Sequence, residues 1–247
     1  MTGAVALVTG GGGGIGSAIC RRLASDGMTV LVGYHSSADR AEQLAAELPG
    51  TDHRAVRIAV DDSPALAEVE ASVTATEGRL DALVNCAGMT RPVAHDDLDA
   101  LDDELIDQIF ATNWRGPFAT IRAFRSLLEA SDDPVIVNIS SVAGITGQGS
   151  NVAYCASKAA LDSMTRSLGR ALAPRIRVMS VSPGWVMGEY AARMPEEVIA
   201  VQRDATPLRR LATGDDVAAA VSAVIHHLPC TTGAIVNVDG GRPLGVS

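Results

Sequence analysis

The chain is poor in lysine, poor in aromatic residues and free of long apolar runs, and each shortage excludes a class of function. Of its twenty Lys and Arg residues only Lys158 is a lysine, the arginines are scattered, and the formal net charge is −9. With two Trp, three Tyr and three Phe in 247 residues, there is no basic, aromatic-rich surface of the kind that binds nucleic acid. No apolar run approaches the ~20 residues that span a bilayer, so no membrane segment is expected. Met1-Thr2-Gly3 leads directly into a strand-like run, with no basic segment and cleavable apolar stretch, which makes the cytosol the expected location. The four cysteines, Cys20, Cys86, Cys155 and Cys230, are far apart and form no C-x-x-C pair, so they read as reduced thiols. The five histidines do not join them at ligand spacing, and no metal site is expected.

What is present is a regular alternation. Apolar residues make up 47% of the chain, enough for a substantial core. Short runs such as residues 4–8, 29–32, 55–60, 80–84, 134–139, 176–181 and 234–238 are rich in Val, Ile and Leu, as strands buried on both faces are. Between them lie helical patterns over residues 15–27, 38–48, 63–76, 101–131, 152–173 and 213–228. Gly116-Pro117 predicts a bend or two abutting helices within the fourth of these. Strands alternating with helices, with no linker or repeat, predict an α/β fold: a single-domain, doubly wound parallel seven-stranded sheet (a Rossmann fold) with helices on both faces over residues 1–247. The least regular stretch, about 183–207, is expected over the carboxyl edge of the sheet, as a mobile loop or short helices covering the substrate.

The first strand runs into Thr9-Gly10-Gly11-Gly12-Gly13-Gly14-Ile15-Gly16 and then a helix. Backbone NH groups of a glycine turn at a helix N-terminus approach a pyrophosphate closely, and the helix dipole favours its charge. Strand, turn, helix and strand within about 30 residues form a mononucleotide-binding unit. After the second strand an NAD site usually has an acid that binds the ribose 2′-hydroxyl. This chain has His35, Ser36 and Ser37 there, with Arg40 following, groups suited to a 2′-phosphate. The sequence therefore favours NADP(H), with NAD(H) left open.

Tyr154 and Lys158 are four residues apart in a stretch of good helix formers, so they share one helix face. An ammonium beside a phenol favours the phenolate, which suits the tyrosine to proton transfer near neutral pH. Arginine, a bulky planar fork, would not replace it equally.

These features, taken together, resemble the short-chain dehydrogenase/reductase family, in particular its 3-oxoacyl-ACP and acetoacetyl-CoA reductases. The resemblance covers nearly the whole chain. It rests on Thr9-Gly10 with Gly14-Ile15-Gly16, on Asn85-Cys86-Ala87-Gly88, on Asn113, on Ser141 thirteen residues before Tyr154, on Lys158, on Pro183-Gly184, and on Asn237-Val238-Asp239-Gly240-Gly241. It implies hydride transfer between a nicotinamide and a ketone or secondary alcohol. In that scheme Tyr154 is the general acid or base, Lys158 lowers its pKa and contacts the nicotinamide ribose, Ser141 hydrogen-bonds the carbonyl oxygen, and Asn113 holds a water. The resemblance also assigns Asp61, Asn85, Ala87, Gly88, Pro183, Gly184 and Val186 to the cofactor, beside the glycine turn. Three departures stand out: Cys86 for the usual second Asn, Gly13 where many NADP-preferring members have Arg, and Gly188 where a Thr usually holds the carboxamide.

The expected substrate is a small-molecule ketone or secondary alcohol such as a 3-oxoacyl thioester, with a cyclic or other small-molecule alcohol as the alternative; Trp185, Met187, Tyr190 and Met194 are candidate pocket residues for a cyclic or steroid-like ketone. A dehydratase or epimerase with tightly held cofactor, and a non-catalytic cofactor-binding sensor, are the competing readings. The resemblance implies a homotetramer, with a dimer as the alternative, packed through the 102–131 and 152–173 helices.

Overall fold

The computed structural model describes residues 3–188, 191 and 194–244. Among these, seven strands form one sheet: β1 (Val5–Thr9), β2 (Thr29–Tyr34), β3 (Arg54–Arg57), β4 (Ala82–Asn85), β5 (Val135–Ile139), β6 (Arg177–Pro183) and β9 (Ile235–Val238), ordered β3-β2-β1-β4-β5-β6-β9. Every pairing is parallel. The chain winds outward from β1 to β3, then crosses back to β4 on the other side of β1. Loops from β1 and β4 therefore diverge, and a crevice opens at their carboxyl ends.

Helices α1 (Gly14–Ser25), α2 (Ala38–Glu47) and α9 (Gly214–His226) cover one face, packing Ile19, Leu23, Val217 and Val221 on Val8, Val84, Val137 and Val181. On the other face α3 (Ser63–Thr76), α5 (Gly116–Glu129) and α7 (Val152–Ala171) pack Leu66, Phe124 and Leu161 on Leu7, Leu83, Ile136 and Val178. Because both faces are covered, β1 and β5 are buried at every position and read as unbroken apolar runs rather than alternating ones. Toward the carboxyl edge the α7 face turns polar: Asn85, Asn138 and Ser180 lie in register across β4, β5 and β6.

Helix starts follow local chemistry. Asp62 caps α3, and Asp102 caps α4 (Asp103–Phe110), each accepting from a backbone NH three residues on. Thr213 and Asp216 form the reciprocal capping box at α9 that their spacing suggests. The bend expected at Gly116-Pro117 takes a specific form. Residues Ala111–Arg115 make a π turn, closed by the Gly116 NH donating to the Ala111 carbonyl, and α5 follows with Pro117 in its first turn.

The expected strands and long helices are all present. Periodicity did not reveal the short pieces: α6 (Ala143–Thr146), the pair β7 (Val186–Met187) with β8 (Ala212–Thr213), and α8 (Glu196–Asp204). The expected 183–207 loop thus contains a strand and a helix, and Tyr190 lies outside the described residues. Among the described residues no helix is long and apolar enough to cross a membrane.

Candidate active site

The floor of the crevice is built by glycine. Gly10 has φ +66°, a left-handed conformation that a side chain disfavours, and a Cβ there would lie 2.9 Å from the Ala87 Cα. A Cβ on Gly16 would lie 2.2 Å from the Gly10 carbonyl oxygen. The turn closes through the Gly13 NH on the Gly10 carbonyl, 3.0 Å, and delivers the N-terminus of α1 into the crevice. This leaves bare backbone and a helix dipole where an anion can approach.

Thr9 does not line the crevice. It is buried, and its Oγ1 accepts from both the Cys86 and Ala87 NH groups at 3.1 Å, tying the β4 loop to the end of β1. Asn85 is also behind the wall, its Nδ2 donating 2.9 Å to Asn138 Oδ1. Asn113 sits at the centre of the π turn and is 1% exposed. Its Oδ1 accepts from the Met89 NH at 2.8 Å, and its Nδ2 donates to the Met89 carbonyl at 3.0 Å and to Ser157 Oγ at 3.2 Å. Both amide hydrogens are committed, so this side chain fixes the Gly88-Met89 wall against α7. Thr9, Asn85 and Asn113, expected at the cofactor or in catalysis, thus lie behind the cleft lining.

Helix α7 presents the reactive groups. Its N-cap Asn151 is fully buried and accepts from the Tyr154 NH at 2.7 Å. The same side chain donates 2.8 Å to the Arg91 carbonyl and 3.3 Å to Thr90 Oγ1. One residue thus sets the start of the helix, the first position of the Tyr154 turn, and the loop facing it. Sequence reading missed Asn151, although an Asn just ahead of a predicted helix is a standard cap signal.

Ser141 follows β5 and lines the same cleft as Tyr154 and Lys158; its Oγ accepts from the Ala143 NH at 3.2 Å. The Lys158 ammonium donates 2.8 Å to the Ile139 carbonyl and stands 5.8 Å from the Tyr154 ring centroid. The expectation that Lys158 lowers the tyrosine pKa is not met in this geometry. Burial raises the phenol above its ordinary value, with Ser141 opposing and Cys155 adding to the rise. The physical reason is orientation: the ammonium faces the β5 carbonyl rather than the phenol oxygen, so desolvation dominates. Burial also brings Lys158 down from 10.5 to about 8, against the opposing pull of Cys86 and Asp162. Cys86 itself is pushed up to about 12 by burial, with Lys158 opposing, so it is a thiol rather than a nucleophile.

These groups share one cleft of about 810 Å³ with Gly10, Gly14, Ile15, Gly16, His35, Asp61, Ala87, Gly88, Pro183, Gly184 and Val186, in the size range of cofactor and ligand pockets. Ser36 and Ser37 do not line it; both are exposed beyond His35, because the chain turns there into α2. Met89, Thr90 and Met187, together with Gly188, form the end next to Tyr154. At the opposite end the cleft continues from His35 and Asp61 into a second hollow of about 560 Å³, lined also by Arg57, Asp62, Ser63 and Arg115. The bare backbone at Gly10 and Gly16, where an added Cβ would meet neighbouring backbone, fits a pyrophosphate, and the residues from His35 to Tyr154 would hold the rest of a dinucleotide.

Comparison with known proteins agrees with this geometry. The family profile described as enoyl-(acyl carrier protein) reductase matches residues 10–242. A protein of Streptomyces violaceoruber, named as ketoacyl reductase 2 of the granaticin polyketide synthase, is 37% identical over 97% of this chain and 96% of its own. Cis-4-hydroxycyclohexanecarboxylate dehydrogenase of Sinomonas cyclohexanicum is 34% identical over 96% of this chain and 95% of its own. The crystal structure of a Brucella melitensis short-chain dehydrogenase/reductase superposes with a TM-score of 0.90 at 26% identity, covering 98% of this chain and 97% of that one.

Proposed function

We infer the working parts from one premise: the chain belongs to the short-chain dehydrogenase/reductase family. It is an NAD(P)H-dependent oxidoreductase that moves hydride between a nicotinamide and a ketone or secondary alcohol. We propose that Tyr154, Ser141 and Lys158 carry the reaction and that Asn113 positions them. The observation that carries this reading is that Ser141, Tyr154 and Lys158 line one cleft together with the glycine turn, with Lys158 one helical turn after Tyr154.

The roles follow from chemistry. The bound cofactor supplies or accepts the hydride. Tyr154, raised by burial, holds its proton at neutral pH and gives it to the carbonyl oxygen during reduction. Ser141 donates a second hydrogen bond to that oxygen as charge develops on it. Lys158 supplies a buried positive charge next to the proton donor and lies within reach of the cofactor side of the cleft. Asn113 holds the Met89 wall and Ser157, so the distance between wall and helix is fixed.

NADP(H) is the proposed cofactor. The hollow beyond His35 offers Arg57 and Arg115, although Asp61 and Asp62 share it and Arg115 donates 3.0 Å to the Asp61 carbonyl. Arg57 is therefore the residue proposed to favour a 2′-phosphate. For substrate, Met89, Val186 and Met187 make the space beside Tyr154 apolar, which suits an uncharged ketone such as a 3-oxoacyl thioester or a cyclic ketone. The protein is proposed to assemble as a homotetramer, covering the stacked Trp114 and Phe118 on the π turn and α5 and the exposed Val152 on α7; a monomeric mass by light scattering would contradict this.

The experiment is a panel of 3-oxoacyl thioesters, cyclic ketones and sugars assayed with NADPH and NADH. Tyr154→Phe is expected to lose roughly 10²–10⁴-fold in kcat while binding cofactor normally by fluorescence titration. Near wild-type turnover in that variant would remove Tyr154 from the reaction. A kcat/KM ratio favouring NADH, or one that Arg57→Ala leaves unchanged, would reverse the cofactor proposal.

A further inference from the structure

The segment that carries Ser141 is seated on α7 with no side chain between the two backbones. After β5 the chain turns through Ser141 and Val142 into α6, and the turn is closed on itself. The Gly144 NH donates to the Ser141 carbonyl at 3.0 Å, and the Ile145 and Thr146 NH groups donate to the Val142 carbonyl at 3.0 and 2.9 Å. The Ala143 NH donates to Ser141 Oγ at 3.2 Å; that bond uses a lone pair and leaves the hydroxyl proton for a substrate oxygen. Ser141 therefore moves with α6 as one piece, and the seat of α6 is decided at Gly144. A Cβ there would lie 2.7 Å from the Ala159 nitrogen, 2.8 Å from the Lys158 carbonyl carbon and 3.1 Å from the Ala159 Cα.

Those three atoms are the peptide that joins Lys158 to Ala159, inside the helix Val152–Ala171, and helix backbone cannot swing aside as a side chain can. Carbon atoms pack best from about 3.5 Å outward, so a Cβ 2.8 Å from the Lys158 carbonyl carbon would push α6 back by roughly 0.7 Å. The backbone itself does not demand glycine. Gly144 is helical and is not among the glycines with positive φ, and alanine forms helix more readily. What the position demands is the absence of a side chain. Gly149 repeats the device at the far end of the same segment, where a Cβ would lie 2.8 Å from Cys155 Sγ, 3.0 Å from Ala143 Cβ and 3.2 Å from Tyr154 Cδ1. The segment from Ser141 to Gly149 is thus pressed onto the stretch of α7 that carries Tyr154 and Lys158.

We propose that Gly144 is a positioning residue of the active site: by letting α6 rest on the Lys158–Ala159 peptide, it sets how far Ser141 stands from Tyr154 and Lys158. The serine comes from the end of a strand and the other two groups from a helix, so their spacing depends on how deeply one backbone settles on the other. The rigid backbone of α7 acts as the stop. The Val142 NH, which donates to the Pro183 carbonyl at 3.0 Å, holds the same turn sideways against β6. The proposal rests on the reading of Ser141 as the donor to the carbonyl oxygen.

The test is a double-mutant cycle with a matched control. Gly144→Ala is expected to lower kcat and kcat/KM for ketone reduction together, by roughly 10–100-fold, while cofactor affinity by fluorescence titration stays within about twofold. In a Ser141→Ala background the same substitution should cost almost nothing more, because the group it displaces is already gone. Gly169→Ala is the control. It lies on the same helix, and its Cβ would be 2.6 Å from the Gly233 nitrogen and 2.7 Å from the Gly233 Cα. It is equally crowded but outside the cleft lining, so it should lose stability and keep kcat. If Gly144→Ala does not fold, Ile145→Gly, at an exposed position, loosens α6 through helix propensity alone and should give a smaller loss that also vanishes when Ser141 is alanine. Wild-type kcat in folded Gly144→Ala, a loss that persists in full without the Ser141 hydroxyl, or an equal loss in Gly169→Ala overturns the proposal. Undiminished kcat in Ser141→Ala would instead remove Ser141 from the reaction, and the proposal with it.

Discussion

Replacing Lys158 with methionine separates the electrostatic cost of the site from its packing. Burial takes the ammonium from 10.5 to about 8, a difference worth about 3 kcal/mol at ~1.4 kcal/mol per unit. The sign follows from proton counting. Between pH 8 and 10.5 the unfolded chain holds the lysine proton and the folded chain has released it, so raising the pH through that window favours the folded wild type. Below pH 8 both states are protonated and the full burial cost is present. Lys158→Met has no such titration. Relative to the variant, wild type should therefore gain about 3 kcal/mol between pH 8 and 10.5. At pH 7 the variant escapes the burial cost but leaves the Ile139 carbonyl without its donor, a penalty of about 1–3 kcal/mol, so the two proteins should be close there. The assay is urea unfolding at pH 7, 8, 9 and 10 under reducing conditions and at equal protein concentration. Cys20 and Tyr154, whose pKa values burial raises, push stability the other way above pH 9 but do so in both proteins. Cys86 feels Lys158 and is best replaced by alanine in both. A stability difference that stays flat across this range would refute the account of Lys158 as a charge held in the fold against its preference.

Two further perturbations test the scaffold. In Gly16→Ala the new Cβ lies 2.2 Å from the Gly10 carbonyl oxygen, so the turn must open; a strain of ~1–3 kcal/mol predicts a tenfold or greater loss of cofactor affinity by fluorescence titration, and unchanged affinity would mean that the cofactor does not use this turn. Asn151→Ala removes the α7 cap and the ties to Thr90 and Arg91, with an expected loss of ~1 kcal/mol from the cap alone. Asn151→Ser keeps a cap oxygen at the start of α7 and should restore most of that stability but not turnover, because its short hydroxyl cannot reach the Thr90 and Arg91 loop; equal turnover in Ser and wild type would show the loop tie to be irrelevant.

The strands were legible because parallel strands covered on both faces have no choice but to be apolar, as the runs at β1, β4 and β5 are. Gly10 and Gly16 were legible because their neighbours leave no room for a side chain. Tyr154, Lys158 and Ser141 were singled out by spacing along one helix and one strand end, and all three line the cleft. What escaped depends on register between distant segments. Arg57 reaches the hollow beside His35 only because β3 pairs with β2, and Asn85, Asn138 and Ser180 align only when β4, β5 and β6 are set side by side. The direction of the Lys158 ammonium was also hidden, since the carbonyl it chooses belongs to β5. Ser36 and Ser37 are exposed outside the cleft lining, where the chain turns into α2, a placement that composition does not reveal.

The π turn at Ala111–Arg115 has a consequence for how sequences of this kind can change length. A helix advances 100° per residue, so deleting one residue within α5 would rotate everything after it and carry Phe124 and Leu128 off the sheet. A π turn is the accommodation of one extra residue within a single turn. Deleting one residue there lets the ladder close as continuous α-helix, with α4 and α5 still in phase. The chain can therefore gain or lose this residue without disturbing its core, and what changes is the lateral placement of Asn113. The segment is a point where the fold is indifferent to length and the active site is not.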